Sequence, residues 1–505
     1  MENSIYVKFD GRIDRRSPHN EGNNEDPIER ENLLCRDKCL KKVKGTERVL
    51  SASLAGIPAW MARYYTVETG TISPKTFFYT QDGSLYYLDD LAKTATQKLV
   101  TWEKNVYPKH CFFKTGEQVK MYVVDGKNLW RYDGNNDNLF EKVSLADTSG
   151  DSIYPIDCIE HIDRLLLLSN TYLYISKNLY PEVFGDSTDC IQIIVGSGRG
   201  RNLAMGKIED KLFIFNTEGI FALSGDVISA VATTFELRFV EDRKIVAGRT
   251  LQKVENSLIF LADDLNLWSF DGNTTQKLTH YEKLEDYINP NRTALDKAVA
   301  TYEDSYYKLS FVETGRINNE LEIWYDAIEK KCDFIRGRNV SCYLKIDSTE
   351  EIIYYQFGRS DTQMLMWAEY GYNFDTQPIN IRLRTRDITP SKGRNVRFTA
   401  FKPEIRPTGD RNIGFEYFLD GMLSNDGTGV GWNQNLRGKY KGLGLIQIGN
   451  QGQFIDRVRP KINYSKGTSV SFFIFDSTKD INCEIMGIGI DYIDKGMKKG
   501  KGVGK

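Results

Sequence analysis

The stretch Val123-Val124-Asp125-Gly126-Lys127-Asn128-Leu129-Trp130-Arg131-Tyr132-Asp133-Gly134 reads as strand, tight turn, strand, turn. An apolar pair runs into Asp-Gly, whose small or locally hydrogen-bonding side chains suit the positive φ of a two-residue hairpin loop. Leu129, Trp130 and Tyr132 then bring the bulk that packs on a pleated surface. The same unit returns at Phe77–Asp89, Lys211–Leu223 and Ser257–Gly272. With turn centres at Gly83, Gly126, Asn170, Gly219, Asp264, Gly315 and Gly358, successive steps are 43, 44, 49, 45, 51 and 43 residues. A period of roughly 40–50 residues holding several short strands is the signature of a β-propeller. The expected fold is all-β: a six- or seven-bladed β-propeller over residues 51–372, with consecutive β-sandwiches as the competing arrangement. Only Tyr281–Ala300 is helix-capable, and Asn289-Pro290-Asn291 breaks it.

The flanks differ in texture. Residues 1–50 read as an N-terminal extended arm, polar and turn-rich, with little to offer a core. Within it Ile28–Leu34 could be a short helix or a strand. From about Asn373 the chain alternates cleanly at Ile379–Arg386, Val396–Phe401, Phe415–Gly421, Val470–Phe475 and Cys483–Tyr492. That pattern predicts a jelly-roll-like β-sandwich over 373–492 whose outward face is basic, with Asp420–Lys441 as an extended loop. Residues 493–505, rich in Lys and Gly, cannot form a core and read as a flexible tail.

A chain of 505 residues exceeds what one core serves, so two or three domains are expected. The balance of 67 basic against 69 acidic residues gives no global attraction to nucleic acid, so any DNA contact needs a local patch. No apolar run approaches the ~18 residues of a membrane span, and Met1–Asp10 lacks the basic-then-apolar layout of a signal peptide. Eight sparse cysteines then read as free thiols of a reducing compartment.

Catalytic chemistry finds no foothold. A hydrolase needs nucleophile, base and orienting group within reach. The four histidines (19, 110, 161, 280) sit in no such motif, and His161 reads as a strand-end histidine. Cys35-x-x-x-Cys39 is half a zinc site. Gly196-Ser-Gly198-Arg-Gly200-Arg201 lacks the Lys-Ser/Thr and following helix of a phosphate loop and reads as a connecting loop, its arginines free to meet an acidic neighbour. Asp82, Asp125, Glu218 and Asp263 all fall at hairpin turns and read as turn residues. No catalytic residue, cofactor or metal is expected. Arg15, Arg16, Arg199, Arg201, Lys498, Lys499 and Lys501 are the candidates for contacts with neighbours or DNA.

Two stretches resemble a known family. Phe9-Asp-Gly-Arg-Ile-Asp-Arg-Arg-Ser-Pro18, then Glu31-Asn32-Leu33 and Leu40-Lys41-Lys42-Val43-Lys44-Gly45-Thr46, are similar to the opening of tailed-phage structural proteins, with Asp10 where the family has Gly. Ile162-Asp163-Arg164-Leu165, Tyr174–Phe184 and Asp210–Asp226 resemble the same group, the packaged-DNA stabilisation proteins that form the tail hub or nozzle of podoviruses. The resemblance spans the leader and the central repeat. It implies a propeller-bearing virion protein, assembled in the host cytoplasm as a homo-oligomeric ring, hexamer favoured, below portal and adaptor. Such a ring retains packaged double-stranded DNA and passes it during ejection. The alternative from another class is a host-glycan-binding or depolymerising propeller, which needs a concave site with exposed aromatics and paired acids.

Overall fold

The Asp125-Gly126 hairpin lies where the residues place it. In the computed structural model Gln118–Val124 and Leu129–Tyr132 pair in antiparallel register, Val124 opposite Leu129. Gly126 takes φ 86°, and the Asp125 carboxylate accepts from Lys127 N, Asn128 N and Trp130 Nε1. The structure describes residues 2–494 except 18–22, 37, 69–70, 90–91, 117, 136, 188, 226–234, 347–353, 392–393, 408–410, 421–429, 437–453, 456–465, 478 and 481.

The fold is all-β, built from many small antiparallel sheets. Four consecutive strands form one sheet in each of the spans 58–101, 109–143, 157–194, 202–241 and 252–277, and the four strands of 299–336, the sixth sheet, make one end of a nine-stranded sheet. Val340–Ile346, Tyr354–Arg359 and Leu365–Ala368 begin a seventh. Its fourth strand, Thr46–Arg48, comes from the other end of the chain, with Glu47 opposite Trp367.

Neighbouring sheets share apolar cores, which explains why their middle strands are apolar on both faces. In Arg164–Leu168, Leu165 and Leu167 pack toward the second sheet, while Leu166 and Leu168 pack toward the fourth. Corresponding clusters join first to second, fourth to fifth, fifth to sixth and sixth to seventh. A further cluster joins the seventh sheet to the first, with Cys342 and Leu365 against Phe78 and Leu88. The first strands of all seven sheets line one cavity of about 440 Å³.

Six of the seven expected turn centres lie at or beside the link between the second and third strands of a sheet. Gly358 does not: it lies within Tyr354–Arg359, and the turn falls near Gln363 at φ 54°. A Cβ on Gly358 would come within 2.5 Å of Pro58 Cβ, so this glycine serves close approach between the seventh and first sheets. The helix-capable stretch keeps two short pieces, the 3-10 turn Leu284–Asp286 and the single α-turn Arg292–Leu295, the latter capped where Asn291 accepts from Thr293 N.

Beyond residue 373, a seven-stranded sheet and the other end of the nine-stranded sheet share one core. In one, Cys483–Asp494 runs between Val396–Pro407 on one side and Glu2–Lys8 and Cys39–Lys42 on the other. The other holds Ile381–Arg384, Val470–Asp476, Arg411–Leu419 and Val430–Leu436. Val430–Leu436 is thus a strand inside the span expected to be loop. Ile381, Leu383, Phe398, Phe401, Tyr417 and Phe472 are buried between the two sheets.

The leader departs most from its expected character. Val7, Phe9, Leu33 and Leu40 are buried in that same core. Ile13 joins the core between the fifth and sixth sheets. Glu29–Glu31 bridges the two bodies: Glu31 lies opposite Phe334 of the sixth sheet and opposite Arg382 on its other side. Short apolar words among polar ones had hidden this role, because each buries its side chain against a sheet supplied by distant residues. Among the described residues no helix is long and apolar enough to cross a membrane.

Candidate functional site

Two places concentrate polar side chains inside this all-β frame: the joint made by the leader and the cavity ringed by the first strands.

At the joint, Arg30 is fully buried and its Nη2 lies 2.5 Å from Asp333 Oδ1, with Nη1 donating to Gly11 O. Burial raises the Asp333 pKa, and the attraction of Arg30 only partly offsets it. Arg386 pairs with Asp14 at 2.9 Å and donates to Ser17 O. Burial raises the Asp14 pKa, but hydrogen bonds from Ser17 and the Arg386 charge outweigh it and hold the group below its ordinary value. Asn32, at φ 58°, accepts from Arg336 N and donates to Asn380 O, tying the sixth sheet to the C-terminal body. Arg15 stacks on Tyr287 and Arg16 pairs with Glu285 at 2.9 Å. Arg15 and Arg16, two of the four arginines named as neighbour or DNA contacts, therefore make contacts within the chain.

Arg199 and Arg201 keep exposed side chains in the loop after Ile191–Ile194. That loop closes on an acid of the chain itself, since Glu218 accepts from Ser197 N and Ser197 Oγ. Those hydrogen bonds hold the Glu218 pKa below the ordinary carboxylate range. Where a phosphate loop would hold a ligand, this loop holds Glu218. Lys498, Lys499 and Lys501 lie outside the described residues.

Asp82 accepts from Thr80 Oγ1 and Ser84 Oγ, and Asp263 pairs with Arg243 at 3.1 Å. Cys35 and Cys39 are free thiols in adjacent strands, and no group of three possible metal ligands occurs among the described residues. His161 ends a strand at 5 % exposure, and burial together with Lys207 pushes its pKa to about 4.

The cavity lined by the first strands was not foreseen as a site. Its His110 accepts from Trp60 Nε1 at 3.1 Å on Nδ1, and burial lowers its pKa to about 4, so it is neutral there. Lys109 donates to Asp157 Oδ2 at 2.8 Å and to Leu203 O at 3.2 Å. Asp157 also accepts from Met205 N and Cys158 N. Arg249 sits on the one-turn helix Gly248–Thr250, held where Thr250 Oγ1 donates to Ala247 O and accepts from Leu261 N. Its Nη2 donates to Ala59 O at 3.3 Å and Ser341 O at 2.5 Å, and its guanidinium lies 4.2 Å from the Tyr107 ring centre. No motif in the sequence marks Arg249. The one local signal is Gly248, where a Cβ would fall 2.2 Å from Leu203 O.

The acid of the cavity is tied to a lysine and two backbone N–H groups, and its histidine is neutral and engaged with Trp60. Compared with protein-family models and with curated proteins, the chain finds no match.

Proposed function

We propose that this chain is a non-enzymatic assembly protein: a seven-bladed β-propeller joined to a jelly-roll-like β-sandwich. More particularly, it is read as a ring subunit of a phage tail, the hub or nozzle below portal and adaptor, which retains packaged DNA and passes it at ejection. Seven meandering sheets support the propeller, each sharing a core with the next and the seventh with the first. Thr46–Arg48 fastens the ends, as needed where each sheet can be buried only by its neighbours. The domains are then 51–372 with Thr46–Arg48 as closing strand, and 373–492 with leader strands added.

One observation carries the assignment. The leader whose residues resemble the packaged-DNA stabilisation proteins is also the segment that joins the two bodies, through Arg30–Asp333, Arg386–Asp14 and Asn32. A rigid two-body subunit suits confinement of pressurised DNA better than turnover. Contacts to that DNA then fall to Arg199 and Arg201, exposed on one loop, and to Lys498, Lys499 and Lys501. The near-neutral net charge of −2 fits a channel that must release its cargo.

Native mass spectrometry and particle imaging of the full chain test this reading. A closed homo-oligomer, hexamer favoured, or recruitment into tail particles is the expected outcome. A monomer that no tail particle recruits, or one that binds or cleaves host-surface glycans, overturns it.

A further inference from the structure

The cysteines are scattered along the chain, and folding brings two of them to one spot. Cys111 lies in Lys109–Thr115, the first strand of the second sheet, and Cys158 in Asp157–His161, the first strand of the third. These strands run beside each other on the cavity wall, and both cysteines line it. The Cys158 sulfur reaches across to the second sheet, where Sγ lies 3.7 Å from Tyr122 O and 3.9 Å from Lys109 O. Tyr122 is the residue directly opposite Cys111 in the ladder, and Lys109 shares the strand face of Cys111. Cys158 is part of the apolar core between the two sheets, and Cys111 packs against it. Burial first, then the adjoining Cys111 thiol, raise the Cys158 pKa well above its ordinary value.

Nearness in sequence produces no such pair. Cys35 and Cys39 stand in one hairpin, yet their ladder partners are Leu40 and Arg36, and their thiols donate to Asp10 O and Arg36 O. At the cavity the two thiols also differ in access. Cys158 is buried, whereas Cys111 is half-buried, so a small reagent entering the cavity meets Cys111 first.

We propose that Cys111 and Cys158 form an oxidisable pair, which a diffusible peroxide converts to a disulfide tying the second sheet to the third. Hydrogen peroxide oxidises the Cys111 thiol to the sulfenic acid; its O–O bond breaks and one water leaves. The Cys158 sulfur then attacks the Cys111 sulfur, so that the S–S bond forms and the S–O bond breaks. The Cys158 proton leaves with that oxygen as a second water. Two thiols are oxidised by two electrons, and one peroxide is reduced to two waters. Of the charges around Cys158, Asp157 opposes its thiolate and Lys109 favours it. The site does not rest on the tail-assembly reading, because it belongs to the packing of two sheets whatever the chain is used for.

The test treats the full chain, purified under reducing conditions, with hydrogen peroxide in slight molar excess. Remaining thiols are then alkylated and the chain is mapped by non-reducing mass spectrometry. The expected result is a loss of two hydrogens, a linked peptide pair holding Cys111 and Cys158, and a raised melting midpoint that dithiothreitol reverses. Cys158→Ser should abolish the link and leave Cys111 as a sulfenic acid that dimedone traps; Cys111→Ser should give neither product. Circular dichroism checks that both variants fold, and should either fail, the peptide map of the unaltered chain decides. Both cysteines still open to alkylation after peroxide, a link dominated by another pair such as Cys35 with Cys39, or equal formation of the link in the urea-unfolded chain would overturn the proposal.

Discussion

Arg30→Met is the sharpest probe of how the leader holds this protein together. Arg30 is wholly buried, its Nη2 lies 2.5 Å from Asp333, and Asp333 is 2 % exposed, so water cannot replace the lost guanidinium. Breaking a buried pair from one side costs about 3–5 kcal/mol, because the remaining charge is stranded. The double variant Arg30→Met with Asp333→Asn strands no charge and is expected to regain most of that loss. Trp324 lies directly opposite Asp333 across the strand pair, so its fluorescence during urea unfolding reports the site. The pH dependence has a definite sign. Burial raises the Asp333 pKa in the folded chain, so its protonated form adds stability that is complete below the ordinary carboxylate value and lost as pH rises through the raised one. Removing Arg30 takes away the group that opposes this rise, so the deficit of Arg30→Met should narrow as pH falls from 7 toward 4. A deficit under about 1 kcal/mol, as for an exposed pair, or one unchanged by adding Asp333→Asn, would refute the leader's role as a buried joint.

Three further outcomes follow from the same geometry. Leu40→Ala, in a leader residue fully buried between the C-terminal sheets, should cost about 2–5 kcal/mol by urea unfolding, whereas a loose arm would lose nothing measurable. Gly358→Ala should cost about 1–3 kcal/mol by the same assay, because the new Cβ meets Pro58 and forces the seventh sheet off the first; a neutral result would sink the close contact between them. Glu282 is raised to about 7, chiefly by burial, so the stability contributed by its protonated form is complete below about 4.5 and lost as pH rises through 7. Glu282→Gln should therefore be more stable than the unaltered chain at pH 8, by up to about 3 kcal/mol, and match it near pH 4; equal stability at both pH values would contradict this.

Local chemistry made the repeat legible. Asp125-Gly126 turns because its residues accept positive φ and cap their own backbone, and such turns recur at intervals that only the sequence is needed to measure. Likewise, Leu165–Leu168 is apolar at every position because each face meets another sheet. Alternation at Ile381–Arg384 marks a strand with one wet face, its burial switching at each residue. These readings needed no partner to be known in advance.

What tertiary structure alone decided is who pairs with whom across long separations. Nothing in Thr46-Glu47-Arg48 announces a strand; it becomes one because Leu365–Ala368 offers it an unpaired edge. Phe9, Leu33 and Leu40 looked too scattered for a core, yet two sheets from the far end of the chain close over them. Gly358 resembled a turn glycine by its spacing, while contact with Pro58 gives it a different task. Arg249 carries no motif at all, and its place against Ala59 O, Ser341 O and the Tyr107 ring exists only once the sheets have converged. Turn and strand propensities act over a few residues and are written where they act; closure, burial and charge compensation depend on the neighbours that folding brings, and so are settled only in three dimensions.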